Sequence, residues 1–478
     1  MIRSTAVFVV FCLTASFAQN AAAPPDPAPL KLLKSWLESF NAGDLAKHAD
    51  FITAHESREN LQGLPPIEMA EREMRFRDSV GGGFDIYKVE ESGDTKGKAI
   101  LKERGGLGWA EVAIGVDPQK PDVIARTDFR TIPPPADMQP AREDDAALAR
   151  DVGAVVRKQA DEDRFSGVVL IARNGKPFFQ ESYNLADRRK KIPNDANTRF
   201  NLGSMNKMFT AVAIAQLVQA GKLKFSDTIA QALPDYPDKE TAARVTIAQL
   251  LTHSSGMGDF FGSGFDMIQE RVHSVDDYLP AVVGKPLLFE PGSRWAYSNA
   301  GFIVLGLIIE KASGQDYFDY VQEHIFKPAG MNDSGTWEKN KLPPDYAIGY
   351  MREDQQWDPN FDSLPMRGSS TGGGASTAPD LLRFDQALRS HKLLSAQMTD
   401  TVISPKIDIP NQKDKYGYGF FIAGVDGKRV VGHGGGAPGL NGNLDMYWDS
   451  GYTVIVLSNF DPPLAQKINN YIRERIRQ

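Results

Sequence analysis

Apolar residues recur along this chain with two different periods, and the switch between them divides its N-terminal third. Leu30, Leu33, Leu37 and Phe40 fall at helical spacing and mark one face of a helix, which Asn41-Ala42-Gly43-Asp44 ends. Residues 45–55 continue as a second helix-like stretch. After Gly81-Gly82-Gly83 the apolar runs at 84–89, 98–102, 108–116 and 123–129 are short, partly alternating and separated by turn residues, which predicts strands. Helices followed by a strand meander predict an α+β domain over residues 30–132. Pro133-Pro134-Pro135 and the polar residues up to 143 form its boundary.

The pattern over 144–478 begins with a helix at 146–161. Strands at 167–173 and 177–184 follow, turning at Asn174-Gly175. A helix runs from Ser204 to Ala220 and stops at Gly221, and residues 228–335 read as helix and loop. Strand-like runs return at 417–425, 428–432, 443–448 and 452–457. A closing helix over 463–477 turns Leu464, Ile468, Tyr471, Ile472 and Ile476 inward.

A chain of 478 residues exceeds one ordinary core and points to two or three domains. Its formal net charge is −7 and its basic residues are dispersed, which argues against nucleic acid or an anionic membrane surface as partner. At the N-terminus one arginine, an apolar run over 6–13 and Ser16-Phe17-Ala18 read as a secretory signal cleaved after Ala18. The run is too short to span a membrane. Residues 19–29 then form an Ala/Pro-rich linker. The sole cysteine, Cys12, lies in the signal, so the expected mature protein, periplasmic or secreted, has no disulfide, thiol nucleophile or thiolate metal site. His48, His55, His253 and His273 show no metal-ligand spacing, and no phosphate-binding glycine loop precedes a helix, so neither metal nor cofactor is expected.

Candidate chemistry centres on Ser204-Met205-Asn206-Lys207. A serine and a lysine three residues apart on a helix share a face, and an amine there can take the proton of a hydroxyl that is otherwise a weak nucleophile. Two further groups accompany the pair: Tyr297-Ser298-Asn299 in a Pro/Gly-rich loop before an apolar helix, and His433-Gly434-Gly435-Gly436 before the last strands. Ser-x-x-Lys, Tyr-x-Asn and His-x-Gly in this order resemble the serine β-lactamase and penicillin-recognising family, in particular its class C branch. That branch includes D-alanyl-D-alanine carboxypeptidases, D-amino-acid peptidases and family VIII esterases. Phe165-Ser166-Gly167, Leu250-Leu251-Thr252-His253-Ser254-Ser255-Gly256 and Gly372-Gly373-Gly374-Ala375-Ser376-Thr377 fall in the family's order too, from about residue 144 to the C-terminus.

The resemblance implies an antiparallel sheet flanked by helices, a helical subdomain, and an acyl-serine mechanism. Ser204 is then the nucleophile, and Lys207 or Tyr297 the acylation base. Lys207, buried and away from carboxylates, is expected toward its neutral form, and Tyr297, near two cationic groups, toward phenolate. Asn299 is expected to position Lys207 or the substrate amide. His433, Gly435 and Gly436 are expected to bind substrate, with the N–H groups of Ser204 and Gly436 as oxyanion hole. His433 stands where typical β-lactamases carry a lysine, and Gly434 where they carry Thr or Ser. Attraction of a substrate carboxylate is therefore expected to be weak and pH-dependent, and Arg367 is a candidate replacement anchor. The expected substrate is a small ester, amide or peptidoglycan-derived molecule, with weak β-lactam hydrolysis allowed. The alternative is a catalytically weak penicillin-recognising sensor. Phe40-Asn41-Ala42-Gly43-Asp44-Leu45 resembles the start of an NTF2-like (SnoaL-like) cone. That domain shows no acid–base pair in sequence and is expected to act as a spacer or a homo-oligomerisation module.

Overall fold

The computed structural model describes residues 26–353 and 356–477. The expected signal segment and Cys12 lie outside them. Among the described residues no helix is long and apolar enough to cross a membrane. The described residues form two compact units, one made of 26–78, 82–104 and 109–132, the other of 79–81, 105–108 and those from 133 onward.

Among its described residues the first unit has three helices, α1 (Ala28–Ala42), α2 (Leu45–His55) and α3 (Pro66–Ser79). They are followed by an antiparallel sheet of β1 (Phe84–Ser92), β2 (Lys96–Glu103), β3 (Trp109–Asp117) and β4 (Lys120–Ile132), paired in that order. The helix α1 starts two residues before the end of the expected linker, because proline is tolerated in a first turn whose N–H groups have no partner. It ends at Gly43, whose φ of 69° is the left-handed cap that glycine adopts without strain. Leu33 and Phe40 are fully buried, and Phe40, Phe76, Phe84 and Phe129 pack as an aromatic cluster. The pattern did not predict α3, whose charged residues leave only Ala70 fully buried. Phe76 anchors it in the aromatic cluster, and polar contacts add to this: His48 of α2 bonds Glu73 of α3 at 2.8 Å and Ser39 of α1 at 2.9 Å.

The second unit is built on an eight-stranded sheet. After α4 (Asp145–Asp161) come β5 (Gly167–Arg173) and β6 (Lys176–Tyr183), joined by a turn with positive φ at Asn174 and Gly175. Then come α5 (Asn206–Gln219), α6 (Asn299–Ser313) and α7 (Ala378–Arg389). The chain returns through β7 (Ile407–Asp408), β8 (Lys415–Tyr416), β9 (Phe421–Val425), β10 (Lys428–Ala437), β11 (Leu440–Tyr447) and β12 (Tyr452–Ser458), and closes with α8 (Leu464–Arg473). Strand order is β7-β8-β9-β10-β11-β12-β5-β6, all antiparallel. Alternation sorts the central strands onto two cores. Val169, Ile171, Val454 and Val456 face α4 and α8, while Val168, Leu170, Ile455 and Leu457 join the core around α5 and α6. Burying each such side chain stabilises the fold by roughly 1.5–3 kcal/mol. Both α5 and α6 are buried on nearly every side, so side chains on them are held rigidly.

The strand β10 runs on to Ala437, five residues beyond the predicted end at 432, so the His433 glycine run is strand rather than loop. Beyond Gly432 it pairs with β11 only, leaving its other edge free of β9.

Candidate active site

Ser204 lies in a single 3₁₀ turn, Gly203–Met205, that feeds directly into α5, so the α-helix proper begins two residues after it. This turn packs against the free edge of β10. A Cβ on Gly203 would lie 3.2 Å from the backbone N of Gly436 and 2.9 Å from the Leu440 side chain. A Cβ on Gly435 would lie 2.0 Å from the carbonyl oxygen of Leu202. Gly435, expected to bind substrate, is thus required first by the protein's own turn, which brings Gly436 beside Ser204.

Lys207, one turn along, is fully buried. Its Nζ lies 3.1 Å from Ser204 Oγ, and it donates to Asn299 Oδ1 and to the Thr371 carbonyl, each at 2.8 Å. Burial pushes this amine well below its ordinary pKa of 10.5, against an upward pull from Asp259. The expectation of no nearby carboxylate needs correcting: Asp259 accepts from Asn299 Nδ2 at 2.8 Å and is one hydrogen bond removed from the amine. Asn299 therefore joins Lys207, the Thr371 hydroxyl (2.8 Å) and Asp259 in one network. The cap of α6 is Ser298, whose side chain accepts from Gly301 N.

The Tyr297 phenol faces Ser204, and its ring centroid lies 4.9 Å from Lys207 Nζ. Burial pushes the phenol above its ordinary pKa, the Ser204 hydroxyl opposes this, and Asp259 adds to the rise. Tyr297 is thus held as a phenol, not drawn toward phenolate, because burial dominates and the charge that acts on it, Asp259, is negative.

His433 departs furthest from expectation. It is 3% exposed, and burial, reinforced by Lys207, lowers its pKa from 6.5 to about 3. Its ring bonds Tyr416 at 3.0 Å and the Gly434 carbonyl at 2.6 Å. It is therefore no pH-dependent anion anchor near neutrality. The Cβ direction at Gly434 leads toward Gln466 Oε1 and Asn443 Oδ1, at 3.1 and 3.3 Å, so that position turns toward α8 and β11. Arg367 does not replace the anchor either. Its guanidinium donates to the carbonyls of Thr336 and His273 and stacks 3.7 Å above Phe318.

The structure thus brings Ser204, Lys207, Tyr297, Asn299, Gly435 and Gly436 together and sets His433 in the wall behind Tyr297. Asp259, Thr371, His253 and Tyr416 join them from segments to which sequence reasoning gave no role at the site. His253 stands in the Leu250–Gly256 landmark, and its φ of 56°, unusual for a residue with a side chain, is visible only in three dimensions.

The Beta-lactamase family profile matches residues 152–476. Penicillin-binding protein 4* of Bacillus subtilis is 33% identical over 316 residues, covering 63% of this chain and 69% of that protein. The solved penicillin-binding protein of Bacillus halodurans is 35% identical with a TM-score of 0.61, over 69% of this chain and 98% of that one. A D-stereospecific amidohydrolase from Streptomyces sp. shares the fold at 24% identity and a TM-score of 0.57, over 69% of this chain and 98% of that one. With a family match over well more than half its length, and the site residues inside it, the chain belongs to the Beta-lactamase family of serine hydrolases.

Proposed function

We propose that this protein is an exported acyl-serine hydrolase of esters or amides, of the class C kind, with Ser204 as nucleophile and Lys207 as acylation base. The observation that carries the reading is the set of three groups around Lys207 Nζ. Two are pure acceptors, Asn299 Oδ1 and the Thr371 carbonyl, and the third is the Ser204 hydroxyl. A neutral amine has two N–H bonds and one lone pair. With both hydrogens on the acceptors, the lone pair faces the serine proton.

In acylation Ser204 Oγ bonds to the substrate carbonyl carbon as its proton moves to Lys207. The oxyanion sits on the N–H groups of Ser204 and Gly436, each worth roughly 3–4 kcal/mol in comparable hydrolases. Tyr297 gives its phenolic proton to the departing alkoxide or amine as the C–O or C–N bond breaks, and the Lys207 ammonium restores that proton through the hydrogen-bonded cluster. Water then attacks the acyl carbon, losing a proton to neutral Lys207, and that proton passes to Ser204 Oγ as its C–O bond breaks and the acid leaves. With neutral His433 where a cation would hold a carboxylate, the preferred substrates are small esters or amides lacking one there, β-lactams being poor substrates. Faster hydrolysis of a cephalosporin than of simple esters would overturn that preference.

The first unit is read as an NTF2-like cone serving as spacer or oligomerisation module, and residues 1–18 as the export signal. The test is turnover of a short-chain p-nitrophenyl ester. Ser204→Ala is expected to lose it by at least about a thousandfold; equal activity in both proteins would remove Ser204 as nucleophile. If both are inactive, acyl-adduct trapping tests the sensor alternative.

A further inference from the structure

Behind Tyr297 a second hydrogen-bonded chain runs through residues the proposed mechanism does not use. The backbone N–H of Ser298 donates to His253 Nδ1 at 3.0 Å. His253 Nε2 lies 3.1 Å from the Tyr416 hydroxyl, that hydroxyl lies 3.0 Å from His433 Nε2, and His433 Nδ1 lies 2.6 Å from the Gly434 carbonyl. The two ends fix every proton between them. An amide N–H only donates, so His253 Nδ1 holds a lone pair and the proton is on Nε2, pointing at Tyr416. A carbonyl only accepts, so His433 Nδ1 carries the proton and Nε2 is the acceptor. Tyr416 accepts from His253 and donates to His433. All three side chains are neutral, and the chain has a single direction.

It joins the two parts of the site that must stay in register. One end is the residue after Tyr297; the other is in β10, two residues before Gly436. The His253 ring lies 4.2 Å from the Tyr297 ring centroid and 5.1 Å from Phe302, and its carbonyl accepts from Ala296 N at 2.9 Å. His253 is held at φ 56°, a conformation that strains a residue with a side chain and persists where the surroundings over-determine it. The ionisable groups facing the chain are Lys207, whose proximity disfavours a charge on either imidazole, and Tyr297.

We propose that His253 and Tyr416 are positioning residues for the hydrolase reaction. Through His433 they lock the Tyr297 loop to the oxyanion strand, and they hold the wall behind Tyr297 neutral so that it stays a proton donor. The proposal rests on the acyl-serine reading above, but its first readout is independent of activity. In protein labelled with 15N-histidine, the nitrogen resonances are expected to show His253 as the Nε2–H form and His433 as the Nδ1–H form, unchanged from pH 5 to 8. In Tyr416→Phe, His433 loses the donor to its Nε2, whose nitrogen resonance is expected to move toward that of an acceptor with no hydrogen bond, while kcat for a p-nitrophenyl ester falls about tenfold or more with KM nearly unchanged. His253→Leu is expected to lose a similar factor. His253→Gln, which keeps one acceptor and one donor, is expected to recover most of it. Titration of either histidine in the wild type, the opposite tautomers, equal losses in the Gln and Leu variants, or undiminished kcat in folded Tyr416→Phe would each overturn the proposal. Activity surviving Ser204→Ala would instead sink the hydrolase reading and leave the tautomers standing.

Discussion

At the scale of single residues, catalysis depends on whether Lys207 is an amine or an ammonium when substrate arrives. Burial favours the amine, and Asp259, reached through Asn299, favours the ammonium. The balance gives a signed prediction. The amine must be unprotonated to accept from Ser204, so kcat/KM should fall as pH drops through its pKa. Removing the carboxylate lowers that pKa further, so Asp259→Asn should shift the acid limb of the kcat/KM profile to lower pH. A limb shifted upward, or not at all, would show that Asp259 does not act on the amine. Lys207→Met should abolish the limb and lower kcat/KM by at least about a thousandfold, measured against the same ester. Asp259 has no motif linking it to Asn299, forty positions away, which is why sequence reading did not find it. The charge state of Tyr297 was hidden for the same reason, since it follows from what surrounds the ring.

At the scale of elements, β10 does two jobs with one run of glycines. Gly435 lets the turn before Ser204 lie against the strand, and the strand then brings Gly436 next to the nucleophile. A methyl at Gly435 would sit 2.0 Å from a backbone oxygen, and neither partner is a flexible side chain. Gly435→Ala should therefore destabilise the protein by about 3 kcal/mol or more and lower kcat in whatever remains folded, read by denaturant unfolding beside ester turnover. Gly434→Thr tests the neighbouring position. Its side chain would set out toward Gln466 and Asn443, so restoring the hydroxyl of typical β-lactamases should not raise penicillin turnover. A rise of tenfold would show that this hydroxyl reaches the cleft after all. The repeated apolar runs made β5, β12 and the N-terminal meander legible, because alternation and burial fix a strand's position in the sheet. The extension of β10 was not legible, since glycines carry no apolar pattern and their strand state comes from pairing with β11. The helix α3 escaped for a related reason, its anchors being one aromatic residue, Phe76, and polar groups whose partners lie on other helices.

At the scale of the whole molecule, the family match and every site residue fall in the second unit, which leaves the first with chemistry of its own to explain. Its polar centre is built on Glu73, which accepts from Trp36 Nε1 at 3.1 Å and bonds His48 at 2.8 Å. Glu56 lies close enough to Glu73 to feel its charge. Burial first, and Glu73 second, raise the Glu56 pKa from 4.5 to about 7, with only the Asn60 amide opposing. Between those two values the folded unit binds more protons than the unfolded chain, so its stability is greatest below pH 4.5 and declines as pH rises to 7. The full loss is roughly 3 kcal/mol for such a shift, of which a partly relaxed site would show less. Glutamine mimics the protonated carboxyl and can still accept from Asn60. Glu56→Gln should therefore match the wild type near pH 4 and exceed it at pH 8. Hydrogen exchange across α2 and α3, corrected for the intrinsic rate, reads this unit separately from the second. Protection that diverges with rising pH supports a buried, proton-holding Glu56, and parallel curves would mean that it ionises freely in the fold.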